Sequence, residues 1–190
     1  AVPVWAAVSV VVRVFAPVGN ARNTLTPELV AGDTRLLFVD LAQSTTALGR
    51  SALAQVYSEQ GGAPADLSSA EDLAGFTRAW RRVRDAGHVL AAHDRSDGGL
   101  IVAAVEMLLA GRRGVVLTVP DAEKDTNAWL FSEGPGMVLQ VPTTALEDVR
   151  EAFAAEGLAA RTHEVGTVTT AAGGLEVQQR GRTLASRTRV

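Results

Sequence analysis

The sequence predicts a mixed β-sheet with helices packed on it, an α+β fold with α/β-like character. Short apolar runs bounded by turn formers read as strands, among them Leu36–Leu41 (LLFVDL) and Val115–Val119 (VVLTV). Helical patterns separate such runs through the middle of the chain, whereas both ends are strand-rich. At 190 residues the chain suits one domain, because single cores usually cover roughly 100–200 residues. The expectation is one helix-flanked sheet, with residues 1–190 as a single domain.

The elements follow in order. Val8–Phe15 (VSVVVRVF) reads as a strand buried on most of its surface, and Leu36–Leu41 as a second of that type. Ser51–Glu59 reads as a short helix opened by a capping hydroxyl and broken by Gly61-Gly62-Ala63-Pro64. Ser69–Ala86 has the clearest helical signature, with Ser68 or Ser69 as cap and Glu71-Asp72 in the first turn. Leu73, Phe76, Trp80, Val83 and Arg84 follow the helical spacing, and Gly87 stands where a helix end favours a left-handed residue. The spacing of Phe76 and Trp80 favours core packing over stacking on a ligand. Val89–Ala92 is a short strand, followed by a polar run and an apolar helix over Gly98–Ala110. Val115–Val119, a short helix over Asn127–Ser132, a strand over Met137–Val141 and an amphipathic helix over Thr144–Glu156 come next. Val165–Thr170 and Leu175–Gln179 read as a final hairpin around Gly173-Gly174.

Composition narrows the function classes. Hydrophobic side chains make up 47% and charged ones 21%, the globular average, so the chain as a whole is not disordered. A formal net charge of −3 lacks the basic excess that neutralises nucleic-acid phosphates, so no nucleic-acid partner is expected. No run reaches the roughly 20 apolar residues of a membrane helix, so no membrane partner is expected either. The nearest run, Ala1–Val12, is ended by Arg13 and lacks the basic leading region of a signal peptide. With no cysteine there are no disulfides, thiolate zinc sites or cysteine nucleophiles, which suits a cytoplasmic protein. The chain opens on Ala1 rather than methionine and reads as a piece of a longer polypeptide.

The run Ala91–Leu100 (AAHDRSDGGL) stands apart. An apolar strand, five polar side chains and two glycines opening a helix are how an α/β protein builds an anion site. Two carboxylates would repel a phosphate there unless a cation lay between them, so Asp94 and Asp97 are the candidate Mg²⁺ ligands. Asp97, directly before Gly98-Gly99, is equally well placed as a helix N-cap, which makes Asp94 the better ligand candidate. His93 is read as a structural hydrogen-bonder, and Arg95 as a local partner of either aspartate. The Glu133-Gly134-Pro135-Gly136 run is read as a rigid connection, and Gly49-Arg50-Ser51 as a turn. No Ser-His-acid order, P-loop or dinucleotide fingerprint is present, and no catalytic residue is assigned.

His93–Leu100 (HDRSDGGL), followed by Glu106–Gly111 (EMLLAG), resembles the C-terminal domain of the aminoimidazole-ribonucleotide-synthetase superfamily. More narrowly it is similar to the second such domain of large phosphoribosylformylglycinamidine synthases. Phe15–Leu29 (FAPVGNARNTLTPEL), Ala47–Tyr57 (ALGRSALAQVY), Leu130–Val141 (LFSEGPGMVLQV) and Ala185–Thr188 (ASRT) fall in the same order as in those enzymes.

The resemblance implies a mixed sheet related to the ferredoxin-like arrangement. It implies an ATP- and glutamine-dependent amidation of formylglycinamide ribonucleotide in purine biosynthesis, with Mg²⁺ and ATP or ADP as cofactors. The nucleotide would sit between this domain and an ATP-binding N-terminal synthetase domain, and a glutaminase domain would be the further partner. Carried over, Asp94 is a Mg²⁺ ligand, with Asp97 the alternative. Ser96 is a nucleotide contact, and Gly98 and Gly99 lie at the phosphate side of the helix start. Two other readings stay open. One is another superfamily member, such as a selenophosphate synthetase. The other is a non-catalytic interaction module of the same fold, which Arg50 and Ala42–Ser44 favour because both depart from the family pattern.

Overall fold

A computed structural model describes residues 12–15, 17, 19–21, 24–44, 46–59, 62–169 and 173–188. Its frame is a seven-stranded mixed sheet in the order β2-β4-β1-β5-β3-β6-β7. The strands are β1 (Thr34–Asp40), β2 (Ala91–Asp94), β3 (Gly114–Thr118), β4 (Gly136–Pro142), β5 (Thr162–Thr169), β6 (Leu175–Gln179) and β7 (Arg182–Arg187). All neighbours pair antiparallel except β3 and β6, which are parallel. The helices are α1 (Ala52–Val56), α2 (Ala70–Asp85), α3 (Gly99–Gly111), α4 (Thr126–Phe131) and α5 (Leu146–Ala154). The predicted helix-flanked mixed sheet is the fold observed.

Strand β1 divides the core because successive side chains point to opposite faces. Leu36 and Phe38 pack with Leu100, Met107 and Trp129 of α3 and α4. Leu37 and Val39 pack with Phe76, Val83, Val149 and Phe153 of α2 and α5. A strand covered on both faces reads as a continuous apolar run, and LLFV does so. Gln140 is the polar exception, fully buried on β4. Its amide nitrogen donates to the Val30 carbonyl at 2.8 Å and to the Thr34 hydroxyl at 3.0 Å, and its oxygen accepts from the Val30 N–H at 3.0 Å. Every polar atom lost from water there regains a partner, as burial requires.

Local signals placed the caps well. The Ser51 and Ser69 hydroxyls accept from the Ala54 and Asp72 N–H groups, and Gly87 takes φ +73°. Three expectations change. Residues 12–15 of the expected first strand belong to no strand, with Val12, Val14 and Phe15 exposed, and Val8–Val11 lie outside the described residues. The expected final hairpin is not formed, because β3 lies between β5 and β6 and pairs with both. The hairpin partner of β6 is instead β7, whose six residues are all exposed and carry no burial pattern to betray a strand. Its turn is Arg180-Gly181, both at positive φ as a type I′ connection needs. The helix expected over Thr144–Glu156 begins as a 3₁₀ turn over Thr143–Ala145 and becomes α-helical at Leu146.

His163 on β5 lies with its ring centroid 6.5 Å from that of Phe38. Burial pushes its imidazole below the ordinary 6.5, with Asp40 and Glu123 opposing the shift and Arg161 adding to it. A depressed folded value stabilises the fold above the unfolded value, and this contribution is lost as pH falls through the folded one. The melting temperature should therefore drop between about pH 7 and pH 5, and His163→Gln should flatten part of that drop. An identical pH profile in the variant would assign the drop to other groups.

Candidate functional site

The HDRSDGG run is partly strand. Asp94 pairs with Met137 of β4, so β2 continues two residues beyond the expected Ala92 and only Arg95–Gly98 form the loop. Alternation along β2 then sorts the side chains. His93 faces α3, its Nε2 3.2 Å from Glu106, and its Nδ1 lies 2.6 Å from the Asp94 carbonyl oxygen. Asp94 turns to the α2 side with its carboxylate 73% exposed. Ser96 and Asp97 are exposed as well.

Arg95 departs from expectation. It pairs with neither neighbouring aspartate but is buried, its guanidinium donating to Asp40 Oδ1 at 2.7 Å. Cζ lies 4.7 Å from the Phe38 ring centroid, over its face. Burial lowers the guanidinium's affinity for its proton, and the Asp40 charge and hydrogen bond oppose that. The same guanidinium donates to the carbonyls of Gly134 and Pro135, while the Arg95 N–H donates to Gly136 at 2.8 Å. One side chain therefore holds the 133–136 turn against the end of β1. A side chain at Gly134 would collide with Ala42 and press on Arg95, which is why the turn carries glycine there.

The cap of α3 also differs. Asp97 does not cap it; the N-cap is Gly98, in the left-handed region at φ +83°, with no side-chain capping bond of its own. Gly99 also takes positive φ and packs so closely on α4 that a Cβ would lie 2.6 Å from the Leu130 carbonyl oxygen. The Gly98 N–H donates to Glu133 Oε1 at 2.7 Å, and the Gly99 N–H donates to the Ser96 carbonyl at 3.0 Å. Both amides expected to face a phosphate are thus engaged within the chain. Glu133 Oε1 also accepts from the Ala52 N–H at the start of α1, at 2.7 Å.

The fold brings five separated segments to this end of the sheet. Asp94 and Met137 stand between two grooves of about 270 and 350 Å³. Leu25, Pro27 and Trp80 line the first groove, and Leu41, Leu73, Phe76 and Glu133 the second. Leu73, expected on the buried face of α2, is 44% exposed beside it. The terminal ASRT run lies apart, on and just beyond β7. Among the described residues no three or more His, Asp or Glu side chains cluster as a metal site. Asp40 and Glu133 are the residues that sequence reasoning missed. The only signal for either was an acidic residue among apolar or glycine neighbours.

A mixed sheet with helices on both faces and a polar loop between edge strand and helix places the chain among helix-flanked mixed-sheet domains. A family model described as AIR synthase related protein, C-terminal domain, matches residues 44–178, and the chain belongs to that family. Phosphoribosylformylglycinamidine synthase II of Thermotoga maritima has a TM-score of 0.68 and 16% identity, with 88% of this chain and 27% of that one covered. PurL of T. maritima in complex with ATP has a TM-score of 0.66 at 18% identity, with 88% and 27% covered. HypE of E. coli has a TM-score of 0.59 at 18% identity, with 87% and 52% covered. These likenesses establish the fold, and the chain spans about a quarter of the synthase's length. No helix among the described residues is long and apolar enough to cross a membrane.

Breaking a buried ion pair strands a charge, at a cost of about 3–5 kcal/mol, whereas replacing both partners by apolar groups is often neutral. Asp40→Asn and Arg95→Met should each lower the urea midpoint severely, and Asp40→Leu with Arg95→Met should recover much of the loss. A single variant that unfolds like the parent would show that the pair does not hold this end of the sheet together.

Proposed function

We propose that this chain is the C-terminal synthetase-type domain of a phosphoribosylformylglycinamidine synthase. That enzyme amidates formylglycinamide ribonucleotide with ATP and glutamine. Residues 1–190 form one domain of the larger cytoplasmic ligase, next to an ATP-binding N-terminal synthetase domain and a glutaminase domain. Within it the domain contributes half of a Mg-nucleotide site. The fold of a PurL solved with ATP, and of one solved with FGAR, supports the reading. The observation that carries it is the outward display of Asp94, Ser96 and Asp97 while Arg95 between them is drawn inside.

That arrangement fits Mg²⁺, a hard cation held by one or two carboxylates together with phosphate oxygens. Neither aspartate is neutralised by the arginine beside it, and the Asp97 carboxylate has no hydrogen-bond or ion-pair partner among the described residues. When bound, the cation would offset phosphate charge. Ser96 supplies a hydroxyl to the nucleotide. Gly98 and Gly99 shape the loop that presents these groups rather than supplying amide donors, because both amides are engaged and both residues are buried. That same engagement favours the second reading, a non-catalytic module of this fold.

Titration of Mg-ADP into the complete protein separates the two. Asp94→Asn should weaken binding by about tenfold or more, equivalent to about 1.4 kcal/mol, and leave the melting temperature unchanged, because its side chain faces solvent. Asp97→Asn should weaken binding only if Asp97 is also a ligand. Undiminished binding by both variants would remove the metal from this loop, and no binding by the parent would favour the module. The purified chain by itself should not amidate formylglycinamide ribonucleotide above background. Turnover by the chain alone would overturn the assignment of a shared site.

A further inference from the structure

Glu133 Oε1 accepts two backbone N–H groups at 2.7 Å each, from Ala52 and from Gly98. These are the first residue of α1 and the N-cap of α3, 46 positions apart by subtraction of their numbers. A carboxylate is favoured at both places by the unpaired amides and partial positive charge of a helix start. Short charge-assisted bonds of this kind tolerate little displacement. The turn that carries Glu133 is held at three successive carbonyls, chiefly by Arg95 of the loop itself, so Glu133 and the loop move together. The Arg95 guanidinium donates to Gly134 and Pro135, the Leu41 N–H donates to Pro135 at 2.9 Å, and the Arg95 N–H donates to Gly136 at 2.8 Å. The loop before α1 is pinned at its far side as well, where the Gly49 N–H donates to the Ala63 carbonyl at 2.9 Å.

We infer that Glu133 is a positioning residue that couples the Ser96–Gly98 loop to the start of α1, so that a displacement of one loop is felt by the other. The coupling is independent of whether a nucleotide binds. It makes the Gly49–Ser51 segment, which touches none of the candidate ligands in sequence, part of the machinery that sets the HDRSDGG loop.

A substitution at Ala52 isolates one half of the tie. Ala52 is the first helical residue after an extended Ser51 (φ −64°, ψ 164°), a position that accepts proline, and its N–H serves no helical hydrogen bond. Ala52→Pro therefore removes the donor to Glu133 and spares the helix. Amide hydrogen exchange is followed at Ala52, Gly98 and the buried Phe38 in the full chain. Glu133→Ala should speed exchange at Ala52 and Gly98 together by about tenfold, the factor that loss of one such bond gives. Glu133→Gln, whose carbonyl oxygen can accept both N–H groups, should restore much of the protection. Ala52→Pro should speed exchange at Gly98 although it alters nothing in contact with the α3 loop except Glu133. Phe38 should be unchanged throughout, which separates the tie from global unfolding. Gly98 exchange unaltered by Ala52→Pro, or Gln no better than Ala at position 133, would overturn the coupling. If Ala52→Pro also exposes Phe38, the Ala and Gln variants decide the matter by themselves.

Discussion

Arg95 sits between two aspartates in the chain and pairs with neither. Its guanidinium lies under the loop, between the Phe38 ring and the Asp40 carboxylate, almost completely withdrawn from water. A buried ion pair is weak evidence of net stability, because desolvating two charges offsets most of their attraction. What such a pair provides here is a single geometry. With the arginine committed inwards, alternation along β2 and the tight loop leave Asp94, Ser96 and Asp97 no direction but outwards. The same guanidinium fixes the turn before β4, and the turn in turn delivers Glu133 to two helix starts. Remove the arginine and the display of the loop, the turn and the cap of α3 lose their common support.

The motif thus divides into an inner and an outer set. Arg95, Gly98 and Gly99 serve the fold: the first by its buried pair, the glycines by positive φ and by contacts too close for a side chain. Asp94, Ser96 and Asp97 have no such duty. A pattern that looks like one ligand-binding signature is two overlapping ones, and the glycines would be required here even without a phosphate. The Gly98 and Gly99 amides are engaged within the chain and so are not free backbone donors.

Two grooves flank Asp94. Gly136 packs where a side chain would press on Phe38, so the turn lies flat against the sheet. Met137 and Leu73 line the groove that this turn borders. Leu73 follows the helical apolar spacing of α2 yet is 44% exposed.

The caps of α1 and α2 and the apolar run of β1 were determined by the sequence itself, because each depends on residues within a few positions of one another. Ser51 and Ser69 cap their own helices at i+3, Gly87 ends its helix locally, and the LLFV run carries its double-sided burial in its composition. The family, too, was legible in a run of eight residues. Tertiary structure decided the rest. The Asp40–Arg95 pair joins residues 55 apart, and Glu133 reaches Gly98 across 35 and Ala52 across 81. The position of β3 between β5 and β6 is equally non-local. A polar side chain in a short run gives no sign of whether it will meet water or a distant opposite charge. That choice is made by packing, where a guanidinium that loses its water must find a carboxylate, and the nearest one in space was not the nearest in sequence.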